Sequence, residues 1–104
     1  WLDAWVLVKG STTLVVPPSA SGEPVMAQSD APAWLATAGA GDVLAGILGT
    51  LLAAGLPIGL AAAMGAWVHG RAADDASAAG PLRVIEVAAS VPTVVAAALS
   101  GPGR

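Results

Sequence analysis

The chain has 104 residues, of which 56% are hydrophobic and 11% charged, and seven acidic against four basic residues give a net charge of −3. That is enough for one small domain, and too apolar for intrinsic disorder. It also lacks the basic stripe of an electrostatic nucleic-acid binder or a polybasic membrane anchor. Cysteine is absent, which removes disulfide frameworks, thiolate metal sites and cysteine nucleophiles. The side chains capable of chemistry reduce to Lys9, His69, the acids and a few hydroxyls.

The chain opens on Trp1 without a basic and then apolar leader, and reads as cut from something longer. Residues 4–8 and 13–16 are short apolar, β-branched runs around Lys9-Gly10-Ser11-Thr12, the pattern of a hairpin-like unit. Residues 17–22, with Pro17 and Pro18, read as a turn, 24–28 as a third short strand, and 29–34, around Pro32, as loop. Residues 43–68 carry no charge, a run long enough to suggest a transmembrane helix. Gly55-Leu56-Pro57 interrupts it, because Gly ends helices and Pro begins them. Two helices are therefore expected, 42–54 and 58–76, both too apolar for a surface and so buried in a larger core. A third, 85–99, contains Pro92, which should kink or divide it. Residues 101–104 read as a frayed tail.

One segment concentrates chemical possibility: Thr37-Ala38-Gly39-Ala40-Gly41-Asp42-Val43-Leu44-Ala45-Gly46. A glycine-rich loop runs directly into an apolar helix, where free backbone N–H groups and the helix dipole favour an anion. Two readings of Asp42 stay open. It is a helix cap, or it is a base or indirect metal partner beside a transferred phosphate. The segment is neither a Walker loop nor a dinucleotide fingerprint. Lys9, the only lysine, stands where the first strand stops, as a point charge for phosphate or as a solvated turn residue. His69, the sole histidine, reads as a packed or surface residue rather than a metal ligand. Asp74 and Asp75 read as a solvated helix end. Trp1, Trp5, Trp34 and Trp67 read as core or interface fillers, with Trp34 close enough to the loop to line a nucleotide pocket.

Val6-Leu7-Val8-Lys9-Gly10, a hairpin, and then the segment from Leu35 to Ile47 resemble the C-terminal part of the ribokinase-like superfamily. Within it the likeness is to the ADP-dependent NAD(P)H-hydrate dehydratases. Residues 66–74, with His69-Gly70, and residues 87–92 are similar to that family's following helices. The resemblance implies an α/β, doubly wound domain, of which residues 1–104 are one C-terminal fragment with short strands and two to three buried helices. It implies a cytoplasmic, homo-oligomeric lyase of metabolite repair, with neither nucleic acid nor membrane as partner. The lyase dehydrates the S form of hydrated NADH or NADPH and hydrolyses ADP to AMP and phosphate with Mg2+. Carried over, Lys9, Gly10, Ser11, Thr12 and Thr13 contact the nucleotide's phosphate and ribose side. Gly41 contacts the nucleotide through its backbone, Gly39 and Ala40 form an anion hole, and Asp42 meets the hydrated nicotinamide as the base. The chain departs from the family at Ala38, usually Gly, at Ala40, often Ser, and before Glu86, where a Ser cap is usual. It also lacks the family's N-terminal portion, so the isolated chain is expected to carry half the site and to expose apolar surface. Three alternatives remain. One is a ribokinase-like kinase, with Asp42 deprotonating an acceptor hydroxyl. Another is a small membrane protein spanning with 43–68 and Gly55-x-x-x-Gly59. The last is a binding module without turnover.

Overall fold

The computed structural model describes residues 3–29, 31–78 and 80–101. Three short strands come first: β1 (Val6–Val8), β2 (Thr13–Val16) and β3 (Met26–Gln28). They form one antiparallel sheet in the order β1-β2-β3. Val6 pairs with Val16 and Val8 with Leu14, so Lys9, Gly10, Ser11 and Thr12 are the connecting loop of a hairpin. Thr13 then pairs with Gln28 and Val15 with Met26. Burial on β2 alternates, with Thr13 and Val15 inward and Leu14 outward, as the two-residue period of a strand requires.

A 3-10 turn over Ala33–Leu35 leads to three helices, α1 (Ala40–Ala53), α2 (Ile58–Ala76) and α3 (Val84–Ser100). Short strands followed by three helices give the expected α/β class. The uncharged run divides at Gly55-Leu56-Pro57 as anticipated, with Gly55 in the left-handed region (φ 88°). No helix among the described residues is long and apolar enough to cross a membrane, so a single span over 43–68 does not form.

Helix α2 is the hub, packed against α1, α3, β2, β3 and the 3-10 turn. Small residues on its buried face, including Gly59, Ala61, Gly65, Ala66, Ala72 and Ala73, bring neighbours close. A methyl placed on Gly59 would lie 2.5 Å from the Trp5 ring, and one on Gly65 would lie 2.5 Å from the end of Leu48. Only α2 is buried in the way the sequence suggests. Helix α1 buries Ala40 and Leu44, and α3 buries Val87 and Val94. Leu52, Val95 and Leu99 stay exposed, because no layer of the described residues covers those faces.

Two further expectations are corrected. Helix α1 starts at Ala40 rather than Asp42, because Gly39 takes the left-handed N-cap position (φ 87°) and Ala40 turns into the core. Helix α3 runs unbroken through Pro92. The bond that Pro92 cannot donate would have gone to Ala88, which is exposed, so water can satisfy that carbonyl. The start of α3 replaces the missing Ser cap: the Glu86 carboxylate accepts from the Arg83 backbone N–H at 2.9 Å and from its guanidinium at 3.0 and 3.1 Å. That backbone bond, and then the guanidinium, lower the Glu86 pKa below its usual 4.5. The reading of Trp1 and that of the tail at 102–104 lie outside the described residues. Trp5 is half-buried, while Trp34 and Trp67 are exposed.

Candidate active site

The site is built on the junction before α1. The N–H of Ala40 turns back to the Thr37 carbonyl at 3.2 Å, and those of Asp42 and Val43 reach the Gly39 carbonyl at 3.1 and 3.3 Å. The amides of Gly39 and Gly41 donate to none of the described residues. Two outward donors at a helix N-terminus, where the dipole is positive, make an anion cradle. Glycine serves different ends at the two positions. At Gly39 the positive φ demands it, and a methyl there would also sit 3.4 Å from Val84. At Gly41 an added Cβ meets nothing within 4 Å, so the protein's own packing does not require the small residue. Open space over a free N–H suits the close approach of a ligand.

Asp42 is the third residue of α1 and is exposed. The helix has no side-chain cap hydrogen bond, and the Asp42 carboxylate has no partner among the described residues. The carboxylate therefore makes no capping hydrogen bond, while its place in the first turn of α1 suits the helix dipole. It stands at the mouth of an apolar groove of about 400 Å3 between α1 and α3, walled by Val43, Ile47, Leu51, Val91 and Val95. A carboxylate lining an apolar slot can meet a ligand that is polar at one edge and apolar elsewhere.

The second predicted segment is the β1–β2 loop. Lys9 Nζ donates to Thr13 Oγ1 at 3.2 Å, and Thr13 is buried, so the ammonium is tethered to the end of the strand. Desolvation lowers its pKa from the usual 10.5. Ser11 and Thr12 are exposed on the loop.

A third residue, which sequence reasoning treated as packing, also stands out. His69, on α2, is fully buried, and neither ring nitrogen has a hydrogen-bond partner among the described residues. Burial above all, and then the charge of Lys9, push its pKa below 6.5, while the Ala40 backbone opposes this. Burial therefore favours the neutral imidazole. The influences on the ring thus come from Lys9 of the hairpin and Ala40 of the α1 junction, far apart in sequence. An unpaired buried polar group costs about 1–3 kcal/mol, which sets His69 apart from an ordinary core filler. Its place in the run Val68-His69-Gly70 gave no sign of this, since burial arises only when the chain folds. Among the described residues no group of three or more His, Asp and Glu could hold a metal ion.

The family model for NAD(P)H-hydrate dehydratase matches residues 2–89. The chain is similar to the ADP-dependent (S)-NAD(P)H-hydrate dehydratase of Neisseria meningitidis serogroup B, with 51% identity over 71 residues, 68% of this chain and 23% of that protein. It is similar to the bifunctional NAD(P)H-hydrate repair enzyme Nnr of Mycobacterium leprae, with 50% identity over 70 residues, 67% of this chain and 14% of that protein. The Nnr of Moorella thermoacetica is 43% identical over 75 residues, 72% of this chain and 14% of that protein. The chain therefore spans less than a quarter of the length of these relatives. No solved structure matches it.

Proposed function

Because the chain belongs to the NAD(P)H-hydrate dehydratase family, we propose that it supplies the phosphate-binding and base-carrying part of an ADP-dependent dehydratase of hydrated NADH or NADPH. The observation that carries this reading is the α1 junction: two free amides, at Gly39 and Gly41, beside one unpartnered carboxylate, at Asp42. In this reading residues 1–104 form the C-terminal part of one ribokinase-like domain. The rest of the substrate site lies in the remainder of a cytoplasmic, homo-oligomeric protein.

The chemistry follows from the residues. The amides of Gly39 and Gly41, and the first turn of α1 with Ala40, take the phosphate end of ADP. Lys9, tethered by Thr13, adds a point charge, and the loop of Gly10, Ser11 and Thr12 meets the ribose side. Asp42 takes the proton from the hydroxyl of the hydrated nicotinamide ring. The freed oxygen takes the terminal phosphoryl group of ADP, with AMP as leaving group, in a step governed by positioning and charge. Phosphate then leaves more readily than hydroxide, and loss of the neighbouring ring proton restores the double bond. Mg2+ is bound in such sites through one or two carboxylates plus substrate phosphates. Among the described residues Asp42 is the one carboxylate at the junction, so the nucleotide would carry most of the coordination. The ion would neutralise charge on the transferred phosphoryl group.

The test is recovery of reduced-nicotinamide absorbance from NADH hydrate with ADP and Mg2+, run on the complete reading frame carrying this chain. Asp42→Asn should lower turnover by about 10²- to 10⁴-fold, the usual worth of a general base. ADP affinity should stay within about threefold, because an amide leaves the cradle intact. Undiminished turnover in the variant would remove Asp42 as the base. A phosphorylated product without recovered absorbance would move the chain to the kinases of the superfamily.

A further inference from the structure

We propose that Val84, the first residue of α3, is a positioning residue for the phosphate site: its branched side chain stands against Gly39 and holds the turn from which the Gly39 and Gly41 amides are presented. The proposal rests on the nucleotide reading above and extends it to a residue that no ligand need touch.

The two residues are close in space. A methyl built on Gly39 would lie 3.4 Å from Val84 Cγ1, 3.6 Å from Cγ2 and 3.9 Å from Cβ, so both branches of the valine cover the place where a side chain would stand. Gly39 needs such support. Its φ of 87° is open to glycine, but glycine takes negative φ about as readily, so the residue does not fix its own turn. Rotation there would carry the cradle with it, because the Gly39 carbonyl accepts the N–H of Asp42 at 3.1 Å and that of Val43 at 3.3 Å. Valine suits a buttress, since its two γ-carbons leave it essentially one rotamer in a helix. The buttress is itself held from two sides. On the inside, Val84 packs on the core cluster that contains Ala40 of α1 and Val87 of α3. On the outside, the Glu86 carboxylate accepts from the Arg83 backbone N–H at 2.9 Å, which fixes the residue before Val84 at the start of the helix. The start of α3 thus sets the loop before α1, although the two are far apart in sequence.

The experiment compares Val84→Ala, Val84→Thr and Val94→Ala in the complete protein, with ADP and adenosine as calorimetric probes. Threonine keeps both γ-branches, whereas alanine removes them. Val94→Ala deletes the same two carbons from the buried face of the same helix, roughly 15 Å farther along at 1.5 Å per residue. Val84→Ala should weaken ADP roughly tenfold and raise its KM, because a loosened support shell costs alignment. Adenosine, which has no phosphate, should bind every variant as it binds the unmodified protein. Val84→Thr and Val94→Ala should hold ADP within about threefold of the unmodified protein, Val94→Ala even where it lowers the melting temperature as much as Val84→Ala. Undiminished ADP affinity in Val84→Ala would overturn the proposal. So would an equal loss in Val84→Thr or in Val94→Ala, or a loss of adenosine affinity parallel to that of ADP. Should Val84→Ala fail to fold, the Val84 methyl groups of the unmodified protein give a second readout by magnetic resonance, assigned by their absence in Val84→Thr. They should show cross-peaks to the Gly39 α-protons and shift when ADP is added, and methyl groups that keep their shifts as ADP saturates overturn the proposal. An unmodified protein that binds no ADP at all overturns the dehydratase reading and this proposal with it, and is told apart from one that binds ADP irrespective of Val84.

Discussion

Gly41 occupies a place where the fold gains nothing from a missing side chain. Its backbone is helical and the space above it is open, so alanine would fit. Gly41→Ala should raise stability by a few tenths to about 1 kcal/mol through helix propensity. The added methyl would stand where a phosphate must approach the amide, so ADP affinity should fall roughly tenfold. Thermal unfolding and calorimetry on the same variant check both halves, and a variant that is more stable and equally tight would remove Gly41 from the cradle. At this scale the sequence was informative where chemistry is local. Gly39, Gly41 and Asp42 are contiguous, and the loop-to-helix pattern identifies them. The same pattern could not tell a cap from a free carboxylate, because that depends on where α1 begins. His69 escaped for the opposite reason: its complete burial without a hydrogen-bond partner among the described residues arises only when the chain folds.

Elements were legible to within a residue or two wherever a break carries its own signal. The Gly55–Pro57 interruption placed the end of α1 and the start of α2. The hairpin followed from two β-branched runs around a Gly-Ser break. Pro92 misled, because the carbonyl it leaves unpaired, at Ala88, is open to water, and exposure is invisible in a single sequence. The close approach of α2 to Trp5, just before β1, depends on Gly59, whose site abuts the rigid indole ring. Gly59→Ala sets a propensity gain of about 1 kcal/mol against an overpacking cost of about 1–3 kcal/mol. The ring cannot fold aside as the tip of a leucine can, so the cost should win. The expected result is a net loss of about 1 kcal/mol and a changed Trp5 environment, read by denaturant unfolding followed by tryptophan fluorescence. Unchanged or higher stability would show that Trp5 moves freely.

For the whole molecule, composition and surface agree. Exposed apolar side chains on α1, α2 and α3 include Leu52, Leu60, Val95 and Leu99, more than a self-sufficient domain of this size tends to display. The 104-residue chain should therefore associate with itself in sedimentation, whereas the complete reading frame should form a defined species. A monomer of the short chain with one sharp cooperative melt would show that these faces need no cover. Whole-molecule organisation was legible only as a deficit. The helices are too apolar for the chain that carries them, yet nothing in the sequence says which faces stay bare.

The turn at Gly55-Leu56-Pro57 has a consequence for synthesis as well as for packing. An unbroken helix over the uncharged residues would be about 39 Å long at 1.5 Å per residue, enough to cross the roughly 30 Å of a bilayer interior. A nascent chain displaying such a rod at the ribosome exit would offer itself to the insertion machinery. The turn cuts the rod before it can form, and α2 carries Arg71, Asp74 and Asp75 into its final turns. The residues that set α1 beside α2 thus also keep the uncharged run from forming one helix of bilayer length.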